Sequence, residues 1–236
     1  MDIDIIFLSY DEPNADDNWQ KLKRRYPQAQ RVHGIKGIWE AHCECARISK
    51  SKHFFLVDGD SVLLSEFDVE KEINKMGLLD GNTLVWRSIN PVNNLISGFG
   101  CPKLFPKKVF EAPLNSIEIS KANSKKYVRV PTIGTISHFN TSPLTAWRSA
   151  FRDCAKLAGG INGENEENRI YRLKIWCTKG EDKPYGKWAI LGARAGKQFG
   201  ESNWKCREKI QLVNDFDWLE QQFLKFRGKY KAASLT

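Results

Sequence analysis

Residues 53–64 read HFFLVDGDSVLL. Phe54 to Val57 is an apolar run of the kind found in a strand buried on both faces, and it ends in two carboxylates, Asp58 and Asp60, separated only by a glycine. Carboxylates this close repel each other unless a cation lies between them, so the pattern points to a divalent-ion site at the end of a central strand. The spacing suits that role. In extended chain, residues two apart face the same way, so both carboxylates can reach one ion, and Gly59 leaves room for a ligand to approach.

Upstream, Ile3 to Leu8 reads as a first buried strand and SYDEPNADDN as a polar loop after it. A helix follows, with Asp17 or Asn18 as cap and Trp19, Leu22 and Tyr26 on one face before Pro27 closes it. Arg31 to His33 is a short extended piece broken by Gly34 and Gly37, and a second helix carries Ile38, His42, Cys45, Ala46 and Ser49 up to the quoted strand. This alternation is that of an α/β sheet covered by helices, whose sites lie at the carboxyl ends of the strands. Ser9 to Glu12, Arg31 to Lys36 and Asp58 to Asp60 all fall on that edge.

Downstream, DVEKEINKMG reads as a helix ending at Gly77, TLVWRS as a strand, and NPVNNLISGFGCPKLFP as a loop. VRVPTIGTISHF is strand-like. It leads into a helix with Ser142 as cap, Pro143 in the first turn and Leu144, Trp147, Phe151, Cys154 and Ala158 on one stripe, leaving Arg148, Arg152 and Lys156 for a solvated face. After the polar loop GGINGENEEN come helical patterns around Ile170 to Cys177, Trp188 to Phe199 and Phe216 to Tyr230. The expected organisation is an α/β core over residues 1–140 with a mainly helical, basic region over 141–236.

The formal charge of +9 is unevenly spread. Up to Ser120 there are 15 Lys+Arg against 17 Asp+Glu, and from Lys121 onward 22 against 11. The second half is therefore suited to a polyanion. No apolar stretch approaches the roughly 20 residues of a membrane span, and the acidic start MDIDIIFLSYDE runs straight into a strand pattern, so no membrane partner and a cytoplasmic location are expected. The six cysteines show neither paired zinc-site spacing nor the density of a disulfide scaffold, and are expected to be reduced and structural.

The first strand and its loop, RVHGIKGIWEAHCECA and FFLVDGD together resemble the nucleotide-binding half of GT-A-fold glycosyltransferases over about the first hundred residues. That resemblance implies a Rossmann-type mixed sheet flanked by helices and a nucleotide-sugar-dependent transferase. It further implies a nucleoside pocket lined by Ser9, Tyr10 and Asp11, with Arg31, His33 and Lys36 near the base or diphosphate. Asp58 and Asp60 would be ligands of Mn²⁺ or Mg²⁺, with His138 completing the metal shell. His42 and His53 are expected to be structural.

YDEPNADDNW, VDGD, WRSINPVNNL, GFGCPKLFP and SHFNTSPLTAWRSAFRDCAKL are also similar in texture to the proteins of tailed phages that glycosylate modified DNA bases. This implies transfer of a sugar such as arabinose from a UDP-sugar to a hydroxymethylated base in duplex DNA, in a host-cell cytoplasm. Reaching such a base requires flipping it out, for which Trp86, Phe99, Phe105 and Trp147 are aromatic candidates. Arg87, Arg148, Arg152 and Lys156 are candidates for phosphates. Other readings stay open: a protein or glycan acceptor, a Mg²⁺ hydrolase built on DGDSV, or a DNA-binding module without catalysis. No acid directly follows the glycine-bearing loop. Asp153, Glu181 and Asp182 are therefore the candidate general bases, and the stereochemical course is open.

Overall fold

A computed structural model describes residues 3–76, 81–97 and 100–233, with side chains described through 228. The chain forms two compact units, one ending at Phe139 and the other starting at Asn140.

The first unit is built on one mixed sheet. The strands are β1 (Asp4–Ser9), β2 (Gln30–His33), β3 (His53–Asp58), β4 (Ser61–Leu63), β5 (Asn82–Ile89), β6 (Ile96–Ser97), β7 (Lys103–Pro106) and β8 (Lys126–Ser137), in spatial order β2-β1-β3-β7-β5-β8-β4 with β6 paired to β5. The helices are α1 (Ala15–Arg25), α2 (Ile38–Ile48) and α3 (Val69–Met76). β1 runs parallel to both β2 and β3, as the alternating pattern predicts. Alternate residues of each buried strand serve opposite faces. Ile5, Phe7, Phe55 and Val57 pack with Leu22 of α1 and Val69 and Ile73 of α3, while Ile6, Phe54 and Leu56 pack with Cys45 and Ala46 of α2.

Two expectations are corrected here. The stretch expected to be a loop from Asn90 to Pro106 contains β7, which lies antiparallel between β3 and β5 at the centre of the sheet. Its four residues, KLFP, are all buried, too short a run to show a period of two and ending in a proline that reads as loop. Helix α1 starts at Ala15 after Asn14, earlier than a cap at Asp17 or Asn18 would allow. Asn18 is instead buried within it, its Nδ2 donating to the Gly59 carbonyl at 3.0 Å.

The second unit is helical: α4 (Pro143–Ala158), α5 (Glu166–Thr178), α6 (Gly186–Asn203), α7 (Arg207–Gln211) and α8 (Phe216–Ala233). α4 begins as its sequence predicts, with the Ser142 side chain accepting from the Thr145 N–H and Thr145 returning a bond to the Ser142 N–H. Trp147, Phe151 and Cys154 are buried on its inner stripe. α6 lies against α4 so closely that its glycines touch backbone. A Cβ on Gly192, Gly196 or Gly200 would stand 2.3, 2.2 and 2.3 Å from the carbonyl oxygens of Trp147, Phe151 and Ala155. Since those atoms belong to a rigid helix, Gly196→Ala should force α4 and α6 apart and lower stability by roughly 2 kcal/mol, an overpacking cost larger than the gain in helix propensity. Urea unfolding of the variant beside the parent protein measures it.

Candidate active site at the carboxyl edge of the sheet

The parallel register that pairs Ser9 with His33 and Leu8 with Asp58 brings the ends of β1, β2 and β3 to one edge. There Ser9 is buried and its Oγ accepts from Arg31 Nε at 3.0 Å. His33 Nδ1 lies 2.9 Å from that Oγ and 3.4 Å from Arg31 Nη2, and because a guanidinium only donates, Nδ1 is the acceptor and the imidazole proton sits on Nε2 of an exposed ring. Arg31 is held over the Phe7 ring at 5.7 Å and by Asp16 at 2.7 Å. Ser9, Arg31 and His33, three residues singled out for donor binding, thus form one hydrogen-bonded group. Tyr10 is half-buried beside it, and Asp11 and Lys36 are exposed on the flanking loops.

Asp58 closes β3 and Ser61 opens β4, so Asp58-Gly59-Asp60 is the tight link between two strands. The Asp58 N–H donates to Cys101 Sγ at 3.1 Å, and its Oδ2 accepts from Lys103 Nζ at 2.7 Å. Asp60 Oδ1 accepts from the Ser61 hydroxyl at 2.8 Å. Gly59 is fitted against the first loop. A Cβ there would stand 2.6 Å from Glu12 Oε2 and 2.8 Å from Ser9 Cβ. Glu12 is therefore a third carboxylate at this edge, steadied by the Tyr10 N–H at 2.7 Å.

The electrostatics are those of crowded acids. Burial, then the charges of Asp58 and Glu12, push the Asp60 carboxyl up to about 7. Burial, with Asp11 and Asp58, raises Glu12 as well. Lys103 is the cation among them, and despite its burial the charge of Asp58 holds its ammonium above the ordinary lysine value. Glu12 and Lys103 were not predicted as site residues. The one signal for Lys103 is a lysine leading a short apolar run, and Glu12 carries none beyond its place in the loop.

His138 meets Asp60 through backbone. Its N–H donates to the Asp60 carbonyl at 2.6 Å, and its own carbonyl accepts from Asn14 Nδ2 at 3.1 Å. Among the described residues, no group of three or more His, Cys, Asp or Glu side chains is arranged to hold a metal ion. The expected set of Asp58, Asp60 and His138 is accordingly not assembled. What the site offers is an excess of negative charge, with three carboxylates facing one ammonium. That fits a divalent ion held by one or two protein carboxylates whose other ligands are phosphate oxygens and water. His42 is buried, donates from Nδ1 to the Ile38 carbonyl at 2.7 Å, and is drawn by burial down to about 4, which makes it a neutral structural ring.

The acceptor-side expectations fare differently. Trp86 is fully buried, donating to Glu72 Oε2 at 3.0 Å and packed edge-on to Phe55 and Phe67, so it is a core residue. Phe105 and Trp147 are core residues too, and Phe99 lies outside the described residues. Arg148 is buried with its guanidinium 4.2 Å from the Phe216 ring. Arg152 lies 5.1 Å from the same ring and donates to the Val213 carbonyl at 2.7 Å. These arginines, with half-buried Lys156, do not make the solvated basic face expected of α4. Arg87 is exposed on β5. An aromatic that the sequence reading passed over is Trp204, the one exposed tryptophan of the eight, with Lys205 Nζ 5.0 Å from its ring.

No protein-family model and no curated protein matches the sequence. Solved structures give distant likenesses. A mannosyltransferase, PcManGT from Pyrobaculum calidifontis in complex with GDP-Man and Mn²⁺, is 9% identical with a TM-score of 0.46, covering 92% of this chain and 84% of that one. TarS 1-349 of S. aureus is 10% identical with a TM-score of 0.39, covering 87% and 91%. HddC from Yersinia pseudotuberculosis is 18% identical with a TM-score of 0.33, covering 56% and 69%. Among the described residues, no helix is long and apolar enough to cross a membrane.

The crowding has a measurable consequence. Because the folded Asp60 carboxyl titrates near 7 against an ordinary 3.8, its contribution to stability is intact below the lower value and is lost as pH rises through the upper one. In chelator, Asp60→Asn should therefore melt higher than the parent protein at about pH 8, and the advantage should vanish at about pH 4.5. Thermal denaturation by circular dichroism across that range checks it.

Proposed function

We propose that the chain is a metal-dependent, GT-A-type glycosyltransferase that moves a sugar from a UDP-sugar to a hydroxymethylated base in DNA. The observation that supports it most is the convergence, at the carboxyl edge of a parallel β2-β1-β3 segment, of a Ser9, Arg31 and His33 group with the Asp58-Gly59-Asp60 link. In open α/β sheets this is the edge where nucleotides bind.

The roles follow from the chemistry of each group. Ser9, Arg31 and His33 brace one another, so the exposed His33 ring presents an N–H from Nε2 and the Arg31 guanidinium brings positive charge to the same edge. Both suit an anionic donor. Tyr10, Asp11 and Lys36 lie on the loops that follow β1 and β2 and are the remaining candidates for contacts to the nucleoside. Asp58 and Asp60 would hold Mg²⁺ or Mn²⁺, which, when bound, supplies a Lewis acid for the diphosphate leaving group. Glu12 keeps the local charge negative and fills the space beside Gly59, fixing the link between β3 and β4 against the first loop.

The acceptor assignment draws on charge. Residues 140–236 hold 18 Lys+Arg against 11 Asp+Glu, and although Arg148 and Arg152 are committed to packing, Lys174, Lys205, Lys209 and Lys225 are exposed. Trp204, exposed among such cations, is of the type that stacks on an unpaired base.

Incubation with UDP-sugars, Mn²⁺ and hydroxymethylcytosine DNA, followed by digestion to nucleosides and mass spectrometry, should show a pentose or hexose increment on the modified nucleoside. Asp58→Asn should lower transfer and metal-dependent donor hydrolysis by about 100-fold or more, the scale of losing one transition-state electrostatic contact. Hydrolysis without any DNA increment would move the acceptor to protein or glycan. Hydrolysis that Asp58→Asn leaves unchanged would overturn the site assignment.

A further inference from the structure

Lys103 has no part in donor binding as set out above, yet its placement is unusual for a lysine. It opens β7, the antiparallel strand between β3 and β5, where it pairs with Leu56 on one side and Val85 on the other. Only 9% of its side chain is exposed, against 32% for Asp58, to which its Nζ is bound at 2.7 Å. Phe105, two residues on and so on the same face of the sheet, packs against the neutral ring of His42. The face of the sheet that Lys103 shares with Phe105 also carries Phe54 and Leu56, and Asp58 is its ion-pair partner among the described residues.

We infer that Lys103 is the resident cation of the donor site, occupying one oxygen of Asp58 so that a metal ion alone binds weakly and binds well only together with the donor's diphosphate. This rests on the reading of Asp58 and Asp60 as the donor-site carboxylates. Two physical effects act in the same direction. The oxygen bonded to Lys103 is committed, so Asp58 enters a metal shell through its other oxygen. The buried positive charge also repels a divalent ion at the same carboxylate, and a diphosphate, bringing negative charge, offsets that repulsion. The coupling is reciprocal, so the metal must strengthen nucleotide binding by the factor by which the nucleotide strengthens metal binding.

The experiment needs no turnover. Mn²⁺ binding to the protein alone is followed by electron paramagnetic resonance, and UDP binding by calorimetry with and without Mn²⁺. The parent protein should bind Mn²⁺ weakly on its own and bind UDP much more tightly once Mn²⁺ is present. Lys103→Met should bind Mn²⁺ alone about tenfold more tightly or better, as expected when a unit charge a few ångströms away is removed, and should show weaker coupling to UDP. Lys103→Gln, which keeps a hydrogen-bond donor for Asp58 without the charge, should behave likewise and carries the test if the Met variant does not fold, as judged by circular dichroism. Folded variants that bind Mn²⁺ no more tightly than the parent would overturn the inference. So would a parent protein whose affinity for UDP is the same with and without Mn²⁺ while it binds Mn²⁺ tightly alone. A parent protein that binds neither UDP nor Mn²⁺ would sink the donor-site reading itself, and this inference with it.

Discussion

Three carboxylates and one ammonium share the carboxyl edge of the first unit's sheet, and the requirement that these charges coexist shapes the elements around them. Asp58 ends β3 where Lys103 can reach it, which needs β7 to enter the sheet antiparallel beside β3. Glu12 reaches the same place only because residue 59 has no side chain to stand in its way. The Asp58 N–H is taken by the Cys101 sulfur, and the Asp60 carbonyl by the His138 N–H, so the backbone on both sides of Gly59 is tied to residues just before β7 and just after β8. A link this constrained holds its carboxylates together despite their repulsion, which means that packing elsewhere in the sheet supplies the energy.

The parts of this arrangement that were legible in the sequence are those carried by long, regular signals. β1, β3, α2, α4, α5, α6 and α8 follow from apolar runs and 3.6-residue stripes, and the α4 start from its Ser-Pro signal, whereas the five-residue α7 is too short to show a stripe. β7 was not legible, because four residues bounded by proline carry no periodicity and their partners, Phe54 to Leu56 and Leu84 to Val85, are fixed only by tertiary pairing. With the strand went its lysine. The same limit explains Trp86 and the α4 arginines. A tryptophan or arginine in a sequence has no mark that says whether its polar atom is met by a buried Glu72, a ring such as Phe216, or solvent.

Charge counted along the chain is therefore a poor map of charge on the surface. Of the cations after Ser120, Lys121, Lys125, Lys126 and Arg129 belong to the first unit, and Lys121 and Arg129 both lie 5.8 Å from the Tyr127 ring. In the second unit, Arg172 is buried near Glu164, Lys197 is paired with Glu201, and Arg194 donates to the Cys177 carbonyl. The positive charge that stays exposed in the second unit is carried more by lysines than by the arginines on which a sequence reading naturally settles.

Asp4 and Asp60, at opposite ends of the same sheet, show two ways in which this fold treats a carboxylate. Burial raises both. At Asp4 it is outweighed by bonds from the Ser51 and Lys50 N–H groups and the Ser49 and Ser51 hydroxyls, so the carboxyl ends below its ordinary value. Those donors tie the start of β1 to the turn before β3, and the charge is fully met from within the chain. Asp60 receives one hydroxyl, from Ser61, and faces two like charges. The same fold thus shows that it can saturate a carboxylate where stability requires it, and at the edge where β1, β2 and β3 end it leaves one undersupplied. An unmet demand for positive charge, held in place by a glycine and a buried lysine, is the physical feature that a bound cation and the phosphates it carries would satisfy.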